Sequence, residues 1–363
     1  MNAHTPAPEA CPATETDAVV IGAGPAGLFQ AFQLGLLDIR CHIVDALPHP
    51  GGQPVALYPG KPIFDIPGVP VCTGQELTDN LLKQVAPFQP TWHLGETVAT
   101  LAQQADGRFL LETSGHTRLL TKAVVIAAGV GAFQPRELKV PGLSGLKPGQ
   151  LSYHPVDATR YAGQRVLVVG GDDDALRFAL ALSAPGPHAA QHVTLLHRRS
   201  THTAEPSTLA ALQARLAQPG LETLTGQVAA IEHTSPHGVA VSVTPPEGAE
   251  VQVAVDAIAV FLGLSPKLGP ITHWGLGMAR KQLAVNTEDF STPTPGIFAV
   301  GDINTYPGKK KLIVCGFHEC VLAAYGVHAH LHPDTPALLQ YTTTSPKLHR
   351  LLGLTVAEGS AEA

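Results

Sequence analysis

Apolar residues in this chain fall into short unbroken runs, each closed by glycine, proline or a charge. Residues 18–21, Ala-Val-Val-Ile, form such a run, as a parallel strand covered on both faces requires. The turn GAGPAG follows at 22–27, a helical pattern spans 28–37, and the apolar run 41–44 predicts the next strand. Together they spell one βαβ unit. The same order recurs from Gln164: a strand Arg-Val-Leu-Val-Val, a turn at 170–175 reading Gly-Gly-Asp-Asp-Asp-Ala, a helix to Leu182, and a strand ending at His197. Between the two units, 108–113 and 119–121 predict a small hairpin ahead of the apolar strand 123–128. Residues 226–243 and 251–260 alternate as strands, 296–300 is a short strand running into Gly301-Asp302, and a helix over 312–331 stops at His332-Pro333. Proline-rich stretches near 135–148 and 263–270 are the natural crossings between two domains.

The stretch between Asp17 and Asp38 is uncharged and long enough to cross a bilayer, but Gly22, Gly24, Pro25 and Gly27 break it into strand, turn and helix. A chain of 363 residues has room for two domains, and only 14% charged residues leave it able to bury large cores. A formal charge of -6 provides no basic footprint for nucleic acid. The five cysteines contain no C-x-x-C pair and predict a reducing compartment, the cytoplasm. Residues 1–16 lack the basic and apolar regions of a signal peptide and predict a disordered lead-in. The eighteen histidines show no convincing ligand spacing, so no metal is expected; His328, His330 and His332 are read as not sharing a helix face.

Gly22, Gly24 and Gly27 place a GxGxxG turn between a buried strand and a helix, where backbone N–H groups and missing side chains admit a pyrophosphate. Asp45 lies twenty-three residues beyond Gly22, at the end of the next strand, where a carboxylate can accept from a ribose hydroxyl. Pro50-Gly51-Gly52-Gln53 and Ala56-Leu57-Tyr58-Pro59 follow, and Thr294-Pro-Gly-Ile-Phe-Ala-Val-Gly-Asp302 stands near the far end. On these residues the chain resembles the thioredoxin-reductase-like (type 2) ferredoxin--NADP reductases from about Asp17 to Gly353.

The resemblance implies an α/β fold of two Rossmann-like, three-layer β/β/α dinucleotide-binding domains, the thioredoxin-reductase-like FAD/NAD(P)-binding fold. Residues 17–135 and 263–363 would form a discontinuous FAD-binding domain, and 136–262 an inserted NADP-binding-like domain. By matching motifs, Asp45 would hold the adenosine ribose, Gln53 the flavin side of the pyrophosphate region, and Asp302 the ribityl chain. Val98 matches an adenine-contacting position, and Phe133 and Thr343 match flavin-contacting ones, although Val98 and Phe133 taken singly fit an apolar core as well. Tyr58 would stack on one flavin face and Tyr341 on the other. The implied activity is electron transfer between NADP(H) and ferredoxin or flavodoxin through FAD, in a homodimer.

Two departures bear on that reading. Where thioredoxin reductases carry a redox C-x-x-C, this chain has Tyr153-His154-Pro155-Val156-Asp157, and Cys315 and Cys320 are read as buried structural cysteines. Flavin would then exchange electrons directly with an external carrier. In the second fingerprint Asp172 replaces the middle glycine, where it opposes a pyrophosphate. His197-Arg198-Arg199 keeps part of the basic corner that suits NADP, with Arg198 and Arg199 as ligand residues or merely solvated charges, and a further expected arginine is Thr203. Two alternatives stay open: a flavoprotein of the same fold that has lost NADP(H) and takes electrons from a protein donor, and a non-catalytic flavin sensor. Lys309, Lys310 and Lys311 form a candidate basic patch for an acidic ferredoxin.

Overall fold

The computed structural model describes residues 12–234, 238–339 and 341–354. The chain divides into two compact units, Met1–Phe133 with Pro266–Ala363, and Gln134–Ser265. The elements used below are numbered in chain order.

In the first unit, β1 (Thr14–Ile21), α1 (Pro25–Leu36), β2 (Cys41–Asp45), α2 (Gly52–Leu57), α3 (Gly74–Val85) and β3 (Thr91–Leu94) are followed by a meander of β4 (Val98–Gln103), β5 (Phe109–Thr113) and β6 (Arg118–Ile126). The sheet runs β3-β2-β1-β6-β5-β4 and is parallel as far as β6, antiparallel beyond it. β1 shows why its run is unbroken. Ala18 and Val20 face one core with α1, while Val19 and Ile21 face a second core with Phe109, Leu111 and Leu119, so both faces are covered.

β1 begins earlier than its apolar run. Thr14, Glu15 and Thr16 pair with Leu119, Leu120 and Thr121, which corrects the expectation of disorder through residue 16; residues 1–11 lie outside the described residues. These three have no apolar pattern of their own, and it is the neighbouring strand that satisfies their backbone groups. The expected hairpin of 108–113 with 119–121 is present as the antiparallel pair β5–β6, but 119–121 and the apolar run that follows are one strand, β6, carried through the exposed Lys122. There β6 changes neighbours, pairing with β5 below Lys122 and with a later strand above it.

The second unit contains β7 (Leu151–Tyr153), β8 (Arg165–Gly170), α4 (Asp173–Ser183), β9 (His192–His197), α5 (Pro206–Leu216), β10 (Leu221–Thr225), β11 (Gln227–His233), β12 (Val239–Thr244), β13 (Val251–Val255) and β14 (Ala257–Phe261). A parallel sheet of order β7-β14-β8-β9-β10 is accompanied by the antiparallel sheet β11-β12-β13. The run 251–260 therefore serves two sheets and breaks at Asp256. Both carboxylate oxygens of Asp256 accept from Arg165, at 2.7 to 3.2 Å.

The chain then returns to the first unit with β15 (Ile297–Ala299), parallel to β6, then α6 (Ile313–Leu331) and α7 (Pro346–Leu351). Cys320, Ala323, Ala324 and Val327 of α6 pack with Ala31 and Leu34 of α1 over the β1 face. Among the described residues no helix is long and apolar enough to cross a membrane.

Candidate functional site

The glycine turn is dictated by space. Gly22 has φ 112°, a left-handed conformation that L side chains avoid, and a side chain on Gly27 would collide with the Gly22 carbonyl. Gly24 is different. It caps α1 without a side chain, and the nearest atom to where a Cβ would stand is Gly52 Cα at 3.8 Å. No acidic residue lies in the first turn and no side chain accepts from its N–H groups. An uncapped helix N-terminus behind a bare glycine suits the pyrophosphate of a dinucleotide, so these residues fit FAD.

Neighbouring segments are tied to this turn. Asp45 at the end of β2 accepts from the Ala23 N–H at 2.5 Å and from the Leu47 N–H at 2.8 Å. Burial pushes its carboxyl above the ordinary value, and these two bonds oppose the push. The Ala23 carbonyl accepts from Gly51 N at 2.8 Å, which brings Gly52, Gln53 and α2 against the loop. On the other side, a Cβ on Gly301 would stand 3.2 Å from Ala26 Cβ, and one on Gly316 of α6 would stand 3.5 Å from Gly301 Cα. Asp302 follows, half-buried, with burial raising its carboxyl and Lys309 and Lys311 pulling it down. The structure thus brings together Gly22, Gly24, Gly27, Asp45, Gln53 and Asp302.

Of the other residues singled out, Tyr58 and Val98 adjoin these segments. Tyr58 closes α2, half-buried, with Lys61 Nζ 5.6 Å above its ring. Val98 is 2% exposed among Val19, Ile21 and Val44, so its side chain belongs to the core. Phe133 is half-buried on a short strand at the edge of the unit. Tyr341 and Thr343 are exposed, and their segment is tied to the opposite end of α1 by Lys347 Nζ donating to the Gly35 carbonyl at 2.7 Å. Two expectations fail outright. Lys309 is no surface charge, because its side chain is 6% exposed and paired with Glu319, a partner ten residues on that no local pattern announces. His328 and His332 do share a helix face, one turn apart, with ring centroids 4.9 Å apart. Among the described residues no group of three or more potential ligands gathers around a metal position.

In the second unit the corresponding helix start is occupied by the chain itself. Asp172 is the N-cap of α4, and its Oδ1 accepts from Ala175 N at 3.1 Å. Thr203 N donates to the Gly171 carbonyl at 2.9 Å, and the His197 ring lies where a Gly171 side chain would go. Burial lowers the His197 pKa, helped by His202, Arg198 and Arg199. Arg198 and Arg199 are exposed at the end of β9. Asp173 is drawn away from the site by Arg177 and by Glu205 N at 3.0 Å.

This pair of glycine-turn units has counterparts among known proteins. Residues 16–319 match the family described as pyridine nucleotide-disulphide oxidoreductase. The chain is 55% identical over 340 residues to the ferredoxin--NADP reductase of Polaromonas naphthalenivorans, covering 94% of this chain and 93% of the relative. It is 52% identical to ferredoxin--NADP reductase 2 of Cupriavidus metallidurans, covering 94% and 92%. The chain belongs to this ferredoxin--NADP reductase family of pyridine nucleotide-disulphide oxidoreductases. Solved structures agree on the fold: thioredoxin reductase of Lactococcus lactis, at 23% identity and TM-score 0.54, covers 88% of this chain and 99% of its own. Bacillithiol disulfide reductase from Staphylococcus aureus, at 18% identity and TM-score 0.56, covers 89% and 100%. Within the family fold, this chain has no cysteine at 153–157, and Cys41, Cys72, Cys315 and Cys320 are free thiols. Cys320 is fully buried, its Sγ donating to the Ala26 carbonyl at 3.2 Å, and burial raises its thiol pKa well above the usual value.

Proposed function

We propose that the chain is a FAD-dependent ferredoxin (or flavodoxin)--NADP oxidoreductase that moves electrons between NADP(H) and a one-electron carrier protein without a redox dithiol. The observation that carries the reading is the α1 N-terminus: an uncapped helix start, a bare Gly24, and Asp45 and the Gly301-Asp302 turn gathered against it. A bound flavin would supply two-electron exchange with a pyridine nucleotide and one-electron exchange with a carrier. The protein holds and orients it. The N–H groups of α1 would bind the pyrophosphate, Asp45 the ribose, Gln53 the adjoining phosphate region and Asp302 the ribityl hydroxyls. Tyr58 and Tyr341 would stack on the flavin, with Val98, Phe133 and Thr343 as further contact positions. In this reading residues 17–135 and 263–363 form the FAD domain, 136–262 the NADP domain, and Arg198 and Arg199 contact the 2'-phosphate. The relatives' names support the carrier and the nucleotide. A homodimer and a cytoplasmic setting belong to the same proposal, the latter in keeping with the free thiols.

Asp172 favours a refinement. A carboxylate capping α4 competes with a phosphate for the same N–H groups, so NADP(H) binding is weakened, and the second reading, electrons taken from a protein donor, rests on that residue. The test is an anaerobic titration of the purified protein with NADPH and with NADH. About one FAD per chain and reduction by NADPH with all thiols blocked are expected. A folded protein that takes up no FAD overturns the proposal, and a FAD-loaded protein reduced only by a protein donor selects the second reading.

A further inference from the structure

Between the Gly301-Asp302 turn and α6 lies a buried ionic cluster that the glycine fingerprints leave unexplained. Glu319, on the second turn of α6, is fully buried and pairs with Lys309. Its Oε2 accepts from the Gly301 N–H at 2.7 Å and from Asn304 Nδ2 at 2.8 Å. Its Oε1 accepts from the Tyr306 hydroxyl at 2.9 Å and from Lys309 Nζ, which lies 5.4 Å from the Tyr306 ring centre. Lys309 Nζ also donates to the Gly301 carbonyl at 2.9 Å. The N–H and the C=O of a single residue are therefore held by the two opposite charges of one buried pair. That residue is Gly301, at φ 76°, pressed against Ala26 in the first turn of α1 and directly preceding Asp302.

Removing two charges from water is costly, and apolar side chains of the same size would hold α6 in place as well or better. What apolar side chains cannot do is bind both polar groups of the Gly301 backbone. We propose that Lys309 and Glu319 are positioning residues for FAD: they lock the Gly301-Asp302 turn against the start of α1, and Lys309 supplies a positive charge facing the Asp302 carboxylate. The inference rests on the FAD-binding reading above. The charged groups facing Asp302 are Lys309, Lys311 and Glu319; the two lysines favour its ionised form, while burial and Glu319 oppose it. An ionised Asp302 is the better acceptor for a hydroxyl, so loss of Lys309 weakens FAD binding most at acid pH.

The experiment is a fluorescence titration of wild-type and Lys309→Met apoprotein with FAD across a pH series, with fold checked by far-UV circular dichroism and urea unfolding. The variant should bind FAD at least about tenfold more weakly near neutral pH. The acid fall-off of its affinity should move to higher pH, a change that loss of packing alone does not produce. If Lys309→Met does not fold, Glu319→Gln takes its place, since it keeps acceptors for Gly301 and Asn304 while losing the charge; weakening of roughly threefold or more is expected. A folded variant with wild-type affinity and wild-type pH profile overturns the inference. Wild-type protein that takes up no FAD sinks the FAD reading itself, so the two failures are told apart by the wild-type titration.

Discussion

Replacing Asp172 by glycine tests the second nucleotide site directly. Its carboxylate caps α4 through Ala175 N at 3.1 Å. A phosphate drawn to those N–H groups would sit about 5 Å from it, and at an effective dielectric of about 20 the repulsion is on the order of 3 kcal/mol, or roughly a hundredfold in affinity. Asp173 adds little, because Arg177 and Glu205 N already engage it. The backbone at Asp172, φ -91° and ψ 177°, suits glycine without strain. Losing the cap to glycine costs only a few tenths of a kcal/mol, so the melting temperature should fall by about 1 °C. Salt screens part of the repulsion, and the observed gain in NADPH affinity should be on the order of tenfold or more at moderate ionic strength, shrinking as salt rises. Asp172→Asn, which retains an oxygen acceptor without the charge, should recover most of that gain. The assay is anaerobic NADPH titration of the FAD-loaded protein, with flavin reduction followed at the visible band. Wild-type protein that already binds NADPH at low micromolar concentration, or an Asp172→Gly variant with unchanged affinity, refutes the reasoning.

Other outcomes follow from named contacts. Asp256→Asn should cost about 1 to 2 kcal/mol near neutral pH by urea unfolding, because both carboxylate oxygens bind Arg165 and the pair is only partly exposed. Arg165 holds the Asp256 carboxyl below its ordinary value, so this stability is present above about pH 4 and fades as pH falls through the depressed folded value. A gap between wild type and variant that stayed constant into acid would sink the assignment. Changing Cys315 and Cys320 to Ser should leave carrier reduction within a few-fold, since the Cys320 thiol is too buried to ionise; complete loss of activity with flavin still bound counts against it. Lys310 and Lys311 are exposed whereas Lys309 is not. Lys310→Gln with Lys311→Gln should therefore flatten the salt dependence of ferredoxin reduction, and an unaltered salt profile removes that surface from consideration.

The local grammar of the chain was enough for its two strand-turn-helix units. Gly22 and Gly27 announce themselves because a left-handed φ and a close carbonyl each demand the absence of a side chain, and those demands act within six residues, while Gly24 leaves the helix start bare. Asp172 is legible for the same reason, its carboxylate bonding a group three residues on. The long helix ending at His332-Pro333 was equally readable, mostly apolar and stopped by proline. Family resemblance, carried by Asp45, Gln53 and Asp302, extended this to function. Other features depend on residues far apart in the chain. Thr14 to Thr16 become strand only because Leu119 to Thr121 lie beside them, and the 251–260 run splits only because Arg165 captures Asp256. Three consecutive lysines read as surface, since a lone buried ammonium is prohibitively costly; the fold buries Lys309 by bringing Glu319 and the Gly301 carbonyl to it. Short-range sterics and capping are written in neighbouring residues, whereas the desolvation of a charge is decided by whatever the tertiary structure sets opposite it.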